Sequence, residues 1–506
     1  MPHKGAQYFD AAQTGVEQAR AIARDSAGNI YVTGTSPGSS NSDIVTIKYD
    51  KNLSQLWSHR WDGGHGNDVG TGIAVDGGHN VYVCGRSVGS GSNGDDAIVL
   101  RYEYNVQTQD YSLSHTRRYH HGHGADGLNA IALDGLNSLY AVGFVTEDDS
   151  TKDALLMKLD RSDLEFSEDW PLSGTNPDGM RIVSGPASGH DELTALAVDN
   201  ERNVAAVGYA HVSGGSSGHR DYLTVRYELD GDEGFVEFWG SQSSVDDIGY
   251  AVTTDSSRNV YATGHREAQT IAGKVGTIKY EPDGDVVWSH ELTHQDWDGA
   301  AGLSMTLDPA GYVNISGWVK QEGREKEDLL TVQYCLAPNP VQEQWWRIYE
   351  VDSGDGSLKS IGTQITVDSD GHIYVAGHGS IGSSSDRSLI VLKYSRCGDF
   401  RWGSVYSDES ELEFSTATVM VATSDPFQFY VAGYPQDGSN EKYLVVQYCL
   451  WKGDIDASGE VDDTDLSTVL GCFGEDYAYA CRGENGTPAN CHIADVNQDG
   501  VVDDDA

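Results

Sequence analysis

Ala21 to Gly34 reads AIARDSAGNIYVTG: an apolar strand ending in Asp25, a Gly-Asn turn, then a β-branched and aromatic strand that stops at Gly34. The phrase returns as IAVDGGHNVYVCG ending at Gly85, IALDGLNSLYAVG at Gly143, LAVDNERNVAAVG at Gly208 and VTTDSSRNVYATG at Gly264. It continues as MTLDPAGYVNISG at Gly317, ITVDSDGHIYVAG at Gly377 and MVATSDPFQFYVAG at Gly433. Eight copies spaced 51 to 65 residues apart suit a four-stranded propeller blade with loops of varied length, and are too long and too β-rich for a helical solenoid. The expected fold is all-β: an eight-bladed β-propeller over residues 1–450, then a small calcium-loop and helix tail over 451–506.

Each copy is followed by an alternating run such as DIVTIKY ending at Tyr49, and by a Trp-bearing strand such as LWSHRW ending at Trp61. Alternation directs Ile44, Thr46 and Lys48 to one side and Val45, Ile47 and Tyr49 to the other, as in a strand packed between two blades. Gly-Asp turns precede Trp288 and Trp402, whose rings are expected to fill the space between blades. The eighth copy lacks an outer strand, because KYLVVQY ending at Tyr448 runs straight into the acidic tail. GAQYFD, roughly Gly5 to Asp10, resembles the missing strand. It is expected to pair with the blade of residues 411–449 and close the ring; a strand donated by a neighbouring molecule is the alternative.

These copies resemble the SBBP-type bacterial propeller repeats, whose unit joins a D-x-x-G-N-x-Y-V-x-G hairpin to a K-Y-D strand and a following Trp. The resemblance covers about residues 6 to 450 and implies a fold rather than a function. Copy four has Ala205-Ala206 where other copies have Tyr-Val, and copy eight has Pro426-Phe427 in place of Gly-Asn. Distorted blades are expected there, with the count unchanged.

The chain holds 506 residues, 78 Asp and Glu against 33 Lys and Arg, and a formal charge of −45. Such a surface repels phosphate backbones and attracts divalent cations, so nucleic acid is excluded as a partner and calcium is the natural counterion. No apolar run is long enough to span a bilayer. Met1 to Asp10 contains no secretory signal, yet the seven cysteines point to an oxidising compartment, and an extracellular or cell-surface location is expected. Cys472, Cys481 and Cys491 crowd a Gly/Asn-rich stretch where a disulfide would staple a segment too small for its own core. The odd count leaves one thiol unpaired or bonded to another chain. Asn52, Asn314 and Asn485 begin glycosylation sequons.

After Trp451 the sequence Asp454-Ile-Asp456-Ala-Ser458-Gly459-Glu460-Val-Asp462-Asp463-Thr-Asp465 matches the twelve-residue EF-hand calcium loop. Asp454, Asp456, Ser458 and Asp465 supply side-chain oxygens, Glu460 its carbonyl, and Asp462 a direct or water-mediated contact. A second loop has the same order in Asp495, Asn497, Asp499, the Val501 carbonyl and Asp503, but its twelfth position is Ala506. Two loops leading toward short helices resemble dockerin-type modules, especially the tails of planctomycete-type secreted proteins. The resemblance covers about residues 453–506 and implies calcium-dependent attachment to a cohesin-like protein or a cell-surface assembly. Their 41-residue separation departs from compact dockerins and makes self-association at least as apt.

His120, His121 and His123 carry no carboxylate–histidine spacing that would define a transition-metal site. No nucleophile elbow, Walker loop or HExxH helix is present, so no catalytic residues are assigned. The expected function is a non-catalytic extracellular structural or adhesive protein whose calcium-loaded tail links it to copies of itself or to a surface partner. The alternative is a carbohydrate-binding or carbohydrate-active propeller anchored by that tail, with aromatics such as Trp318 stacking on glycans.

Overall fold

The computed structural model describes residues 3–449 except 10–16, 90–93, 148–150, 172–177, 213–217, 241–244, 269–270, 325, 336–341, 351–358, 381–386, 407–412, 423–427, 438–439 and 442. Eight antiparallel sheets follow one another along the chain. Blade 1 shows the pattern: an inner strand Gln18–Arg24, a second Ile30–Pro37, a third Ser42–Tyr49 and an outer strand Gln55–Trp61. Blades 2 to 7 span residues 68–119, 127–183, 192–239, 247–292, 297–349 and 360–406. The inner strand of blade 1 packs against those of blades 2 and 8, so the ring is closed.

Blade 8 takes its outer strand from the N-terminus, as the sequence implied. His3–Phe9 runs antiparallel to Tyr443–Cys449 with Ala6 opposite Val446 and Phe9 opposite Tyr443. The pairing comes from the same chain, so no donated strand is needed, and both sheet edges that a linear repeat would leave exposed are covered.

The repeat phrase has a stereochemical cause at both ends. At its turn, Asp25 Oδ1 accepts the N–H groups of Ala27 and Asn29, while Oδ2 accepts the Asn29 amide and the Tyr31 hydroxyl. Asp76 and Asp255 do the same with Asn80 and Tyr82, and with Asn259 and Tyr261. At its far end, a Cβ added to Gly34 would fall on the carbonyl oxygen of Gln18; Gly85, Gly143, Gly208, Gly264, Gly317 and Gly377 face the same obstruction. Each lies beside a bulge that skips one inner-strand residue, such as the one between Ala19 and Ala21, and the bulge brings that carbonyl against the glycine.

Blade 4 corrects the expected distortion. With Ala205 in place of the tyrosine, Asp199 keeps its Asn203 contacts and gains the Arg226 guanidinium at 3.4 Å, and the four strands pair with bulges at the same positions as in blade 1. The Pro426-Phe427 turn lies outside the described residues.

The core lies between blades rather than within them. Third strands are buried on both sides, as Ser42–Tyr49 shows, and in most blades a tyrosine near the strand's end meets an aromatic from the preceding blade, whereas blade 3 has Leu159 there. Trp57 meets Tyr102 at 5.2 Å, Phe235 meets Tyr280 at 5.2 Å, Trp288 meets Tyr334 at 6.4 Å, and Trp402 meets Tyr448 at 6.3 Å. Such contacts add about 0.5–1.5 kcal/mol each beyond their buried area. Trp288 and Trp402 therefore sit where the sequence placed them.

The loop-bearing face as candidate functional site

Antiparallel order puts the starts of inner and third strands, and the ends of second and outer strands, on one face. Loops from second to third strand, and from each blade to the next, emerge there; the tight hairpins are on the other face. Chemistry that varies from blade to blade therefore has one side on which to collect.

Aspartates at the blade junctions organise this face. Asp126, Asp191 and Asp247 open the inner strands of blades 3, 4 and 5, and each accepts with Oδ1 a backbone N–H from the end of the second strand: Thr146 at 2.9 Å, His211 at 2.7 Å and Glu267 at 2.8 Å. Asp126 and Asp191 also hold the incoming loop, through the N–H groups of His121 and Gly185. Opposite them stand Asp96, Asp153 and Asp221 of the third strands. Burial, and then the neighbouring Asp247, push Asp221 up to about 6; burial raises Asp126, Asp153 and Asp191 as well.

Between blades 5 and 6 the face opens into a cleft of about 740 Å³ lined by Tyr250, His265, Glu267, Trp297, Trp318 and Lys320, with Asp298, Glu322 and Glu327 around them. Trp318 and His265 lie stacked at 5.9 Å and 28°. His265 donates through Nδ1 to the Ala300 carbonyl at 3.0 Å, which directs Nε2 away from that bond. Gly273, at φ +60°, lets its strand pass against that imidazole. Trp297 is buried against Trp346, whereas Trp318 and Tyr250 are only half-buried and offer ring surface to the cleft. A smaller pocket of about 370 Å³ holds Lys152, His190, Tyr209, His211, Arg220 and Asp246, but Arg220 is bound by Asp246 and Lys152 lies 3.5 Å over the Phe144 ring. An arrangement of partly exposed aromatic faces ringed by carboxylates, an imidazole and an ammonium can stack on and hydrogen-bond a polyhydroxylated ligand.

Of the residues singled out in the sequence, Trp318 belongs to this cleft. Tyr250, His265 and Lys320 were not singled out, although a signal exists: His265 and Trp318 directly follow the invariant glycine of the repeat, where other copies have Thr35, Arg86, Phe144, Tyr209, His378 and Tyr434. Asp454, Asp456, Ser458, Glu460, Asp462, Asp465, Asp495, Asn497, Asp499, Val501 and Asp503 lie outside the described residues, as do Asn485, Cys472, Cys481 and Cys491. Asn52 sits exposed in a turn. Asn314 corrects a sequence expectation: it is fully buried with its Oδ1 accepting from Gln333, so no glycan can be attached to it in the folded protein. Cys84 is a buried thiol, and Cys397 is held in a disulfide.

The protein is an eight-bladed β-propeller repeat protein. The Beta-propeller repeat (SBBP) family model matches residues 6–43. Two crystal structures of Sqt1 from Chaetomium thermophilum resemble it at 9% identity, covering 88% and 89% of this chain and 98% and 100% of theirs, with TM-scores of 0.52 and 0.53. Sqt1 from Saccharomyces cerevisiae resembles it at 10% identity over 88% of this chain and 98% of that one, with a TM-score of 0.52. Identities this low speak for the fold alone. No curated protein matches the chain. Among the described residues, no helix is long and apolar enough to cross a membrane.

Proposed function

We propose that this chain is a non-catalytic extracellular adhesive protein whose propeller binds a glycan on its loop-bearing face and whose calcium-loaded tail attaches it to copies of itself or to a cohesin-like surface partner. The observation that carries the glycan half is the cleft in which Trp318, His265 and Tyr250 present ring surface among Glu267, Lys320 and Glu322. The attachment half rests on the calcium-loop spacing from Asp454 to Asp465, and the disulfide at Cys397 suits an oxidising location.

Titration of the full chain against immobilised plant, algal and bacterial polysaccharides tests the first half. Trp318→Ala is expected to weaken binding roughly tenfold, about 1.4 kcal/mol, with the melting temperature nearly unchanged. If every polysaccharide fails to bind, or binds the variant equally well, the cleft is not a glycan site. Sedimentation with millimolar calcium and then chelator tests self-association: assemblies that dissolve on chelation support it, and a monomer under both conditions overturns it and leaves the surface partner as the tail's target.

A further inference from the structure

We propose that the junction of blades 1 and 2 is a site for a hard divalent cation of the calcium class, held by Asp43, Asp62 and Asp68. The three come from separate elements: Asp43 from the third strand of blade 1, Asp62 from the loop that leaves its outer strand, and Asp68 from the start of the inner strand of blade 2. One carboxylate oxygen from each lies within 4.8 Å of the other two. Oxygens bound to one calcium ion at 2.3–2.6 Å stand no farther apart than roughly 5 Å, so the three fit a single coordination shell. All the donors are carboxylate oxygens, which favour calcium or magnesium over softer metals.

Among the described residues, the cluster carries more negative than positive charge, with Arg60 as the one cation bonded to it. Asp43 and Asp68 are 3% and 0% exposed, whereas Asp62 faces solvent. Arg60 donates to Asp43 Oδ2 at 3.1 Å, but Asp43 Oδ1 is sealed from water and accepts no hydrogen bond. Asp68 Oδ2 accepts the Gly63 N–H at 2.6 Å and the Ser87 hydroxyl serves the same carboxylate, but no backbone N–H reaches its Oδ1, unlike Asp126, Asp191 and Asp247. A buried, unpaired oxygen such as Asp43 Oδ1 costs about 1–3 kcal/mol, more when charged.

The next junction shows what fills the gap. Asp62-Gly-Gly-His-Gly-Asn-Asp68 and His120-His-Gly-His-Gly-Ala-Asp126 are loops of equal length, so His120 stands in the place of Asp62. Arg118 holds Asp96 at 2.9 Å as Arg60 holds Asp43. His120 Nδ1 lies 3.1 Å from Asp96 and 3.4 Å from Asp126. The His120 ring thus offers an N–H between that carboxylate pair, whereas between Asp43 and Asp68 the chain supplies a third carboxylate with no proton to donate. A metal ion supplies the missing positive charge.

Reciprocal exchange in the full-length protein tests the site, because the calcium loops of the tail contribute equally to every variant. After equilibrium dialysis against calcium, elemental analysis should show one ion fewer per chain for Asp62→His and one ion more for His120→Asp. Asp62→Asn, a milder change at an exposed position, should weaken the site at least tenfold. Calcium content and affinity unchanged in both Asp62 variants overturn the site. Equal uptake of magnesium from an equimolar mixture overturns the calcium assignment.

Discussion

At the residue scale, aspartate does two opposite things in this protein, and pH separates them. The hairpin aspartates Asp25, Asp255 and Asp368 are partly buried, but amide, hydroxyl and imidazole donors outweigh the burial and hold their carboxyls below the usual range. Their stabilisation is present above the unfolded value of about 3.9 and is lost as pH falls through the lower folded values. Asp221 has the reverse sign. Burial and the adjacent Asp247 raise it to about 6, so the stability linked to its neutral form is complete below about 3.9 and disappears as pH rises through 6. Melting in the presence of chelator should therefore peak between about pH 4 and 6, and fall by about 1–3 °C between pH 5 and pH 7. Asp221→Asn should raise the melting temperature at pH 7 and flatten that fall. A variant that follows the wild-type curve across this window would remove Asp221 as its source.

At the scale of the element, blade identity was legible because each determinant is local. Asp25, Asn29 and Tyr31 satisfy one another within a single hairpin, and Gly34 is required by a carbonyl in the strand next to it. The strand–turn–strand phrase recurs eight times in the sequence with variations on that chemistry and so reveals the blade count, and the unfinished eighth copy reveals the closure. The cleft was not legible, because Tyr250, His265, Trp318 and Lys320 come together only when two blades are placed side by side. The cation cluster was hidden for the same reason, with Asp43 on one blade and Asp68 on the next. The closing strand offers the sharpest test at this scale. Without residues 1–9 the Tyr443–Cys449 strand would present a full row of unpaired backbone groups. The truncated chain should melt several degrees lower and associate with increasing concentration, as measured by light scattering; a synthetic His3–Phe9 peptide should restore the monomer. A truncated chain that stays monomeric with unchanged melting would show that the N-terminal strand is dispensable for closure.

At the scale of the whole molecule, charge sets the terms on which the ring holds together. The formal charge is −45, and residues 451–506 alone contribute 14 acidic against 2 basic side chains. Repulsion of this kind is diffuse, so it weakens as the Debye length shortens from about 30 Å at 0.01 M salt to about 8 Å at 0.15 M. Sodium chloride alone should therefore raise the melting temperature of the propeller over that range. A coordinated ion acts differently, because it replaces a missing charge at one place and does not depend on ionic strength for its effect. At matched ionic strength, calcium should stabilise more than sodium by a margin that saturates. Scanning calorimetry of the wild type and Asp62→His separates the two contributions. The sodium-dependent rise should be common to both proteins, and part of the saturating calcium increment should be missing from the variant. If calcium adds nothing beyond sodium at equal ionic strength, the acidic surface is merely screened, and neither the blade junction nor the tail holds an ion that matters to the fold.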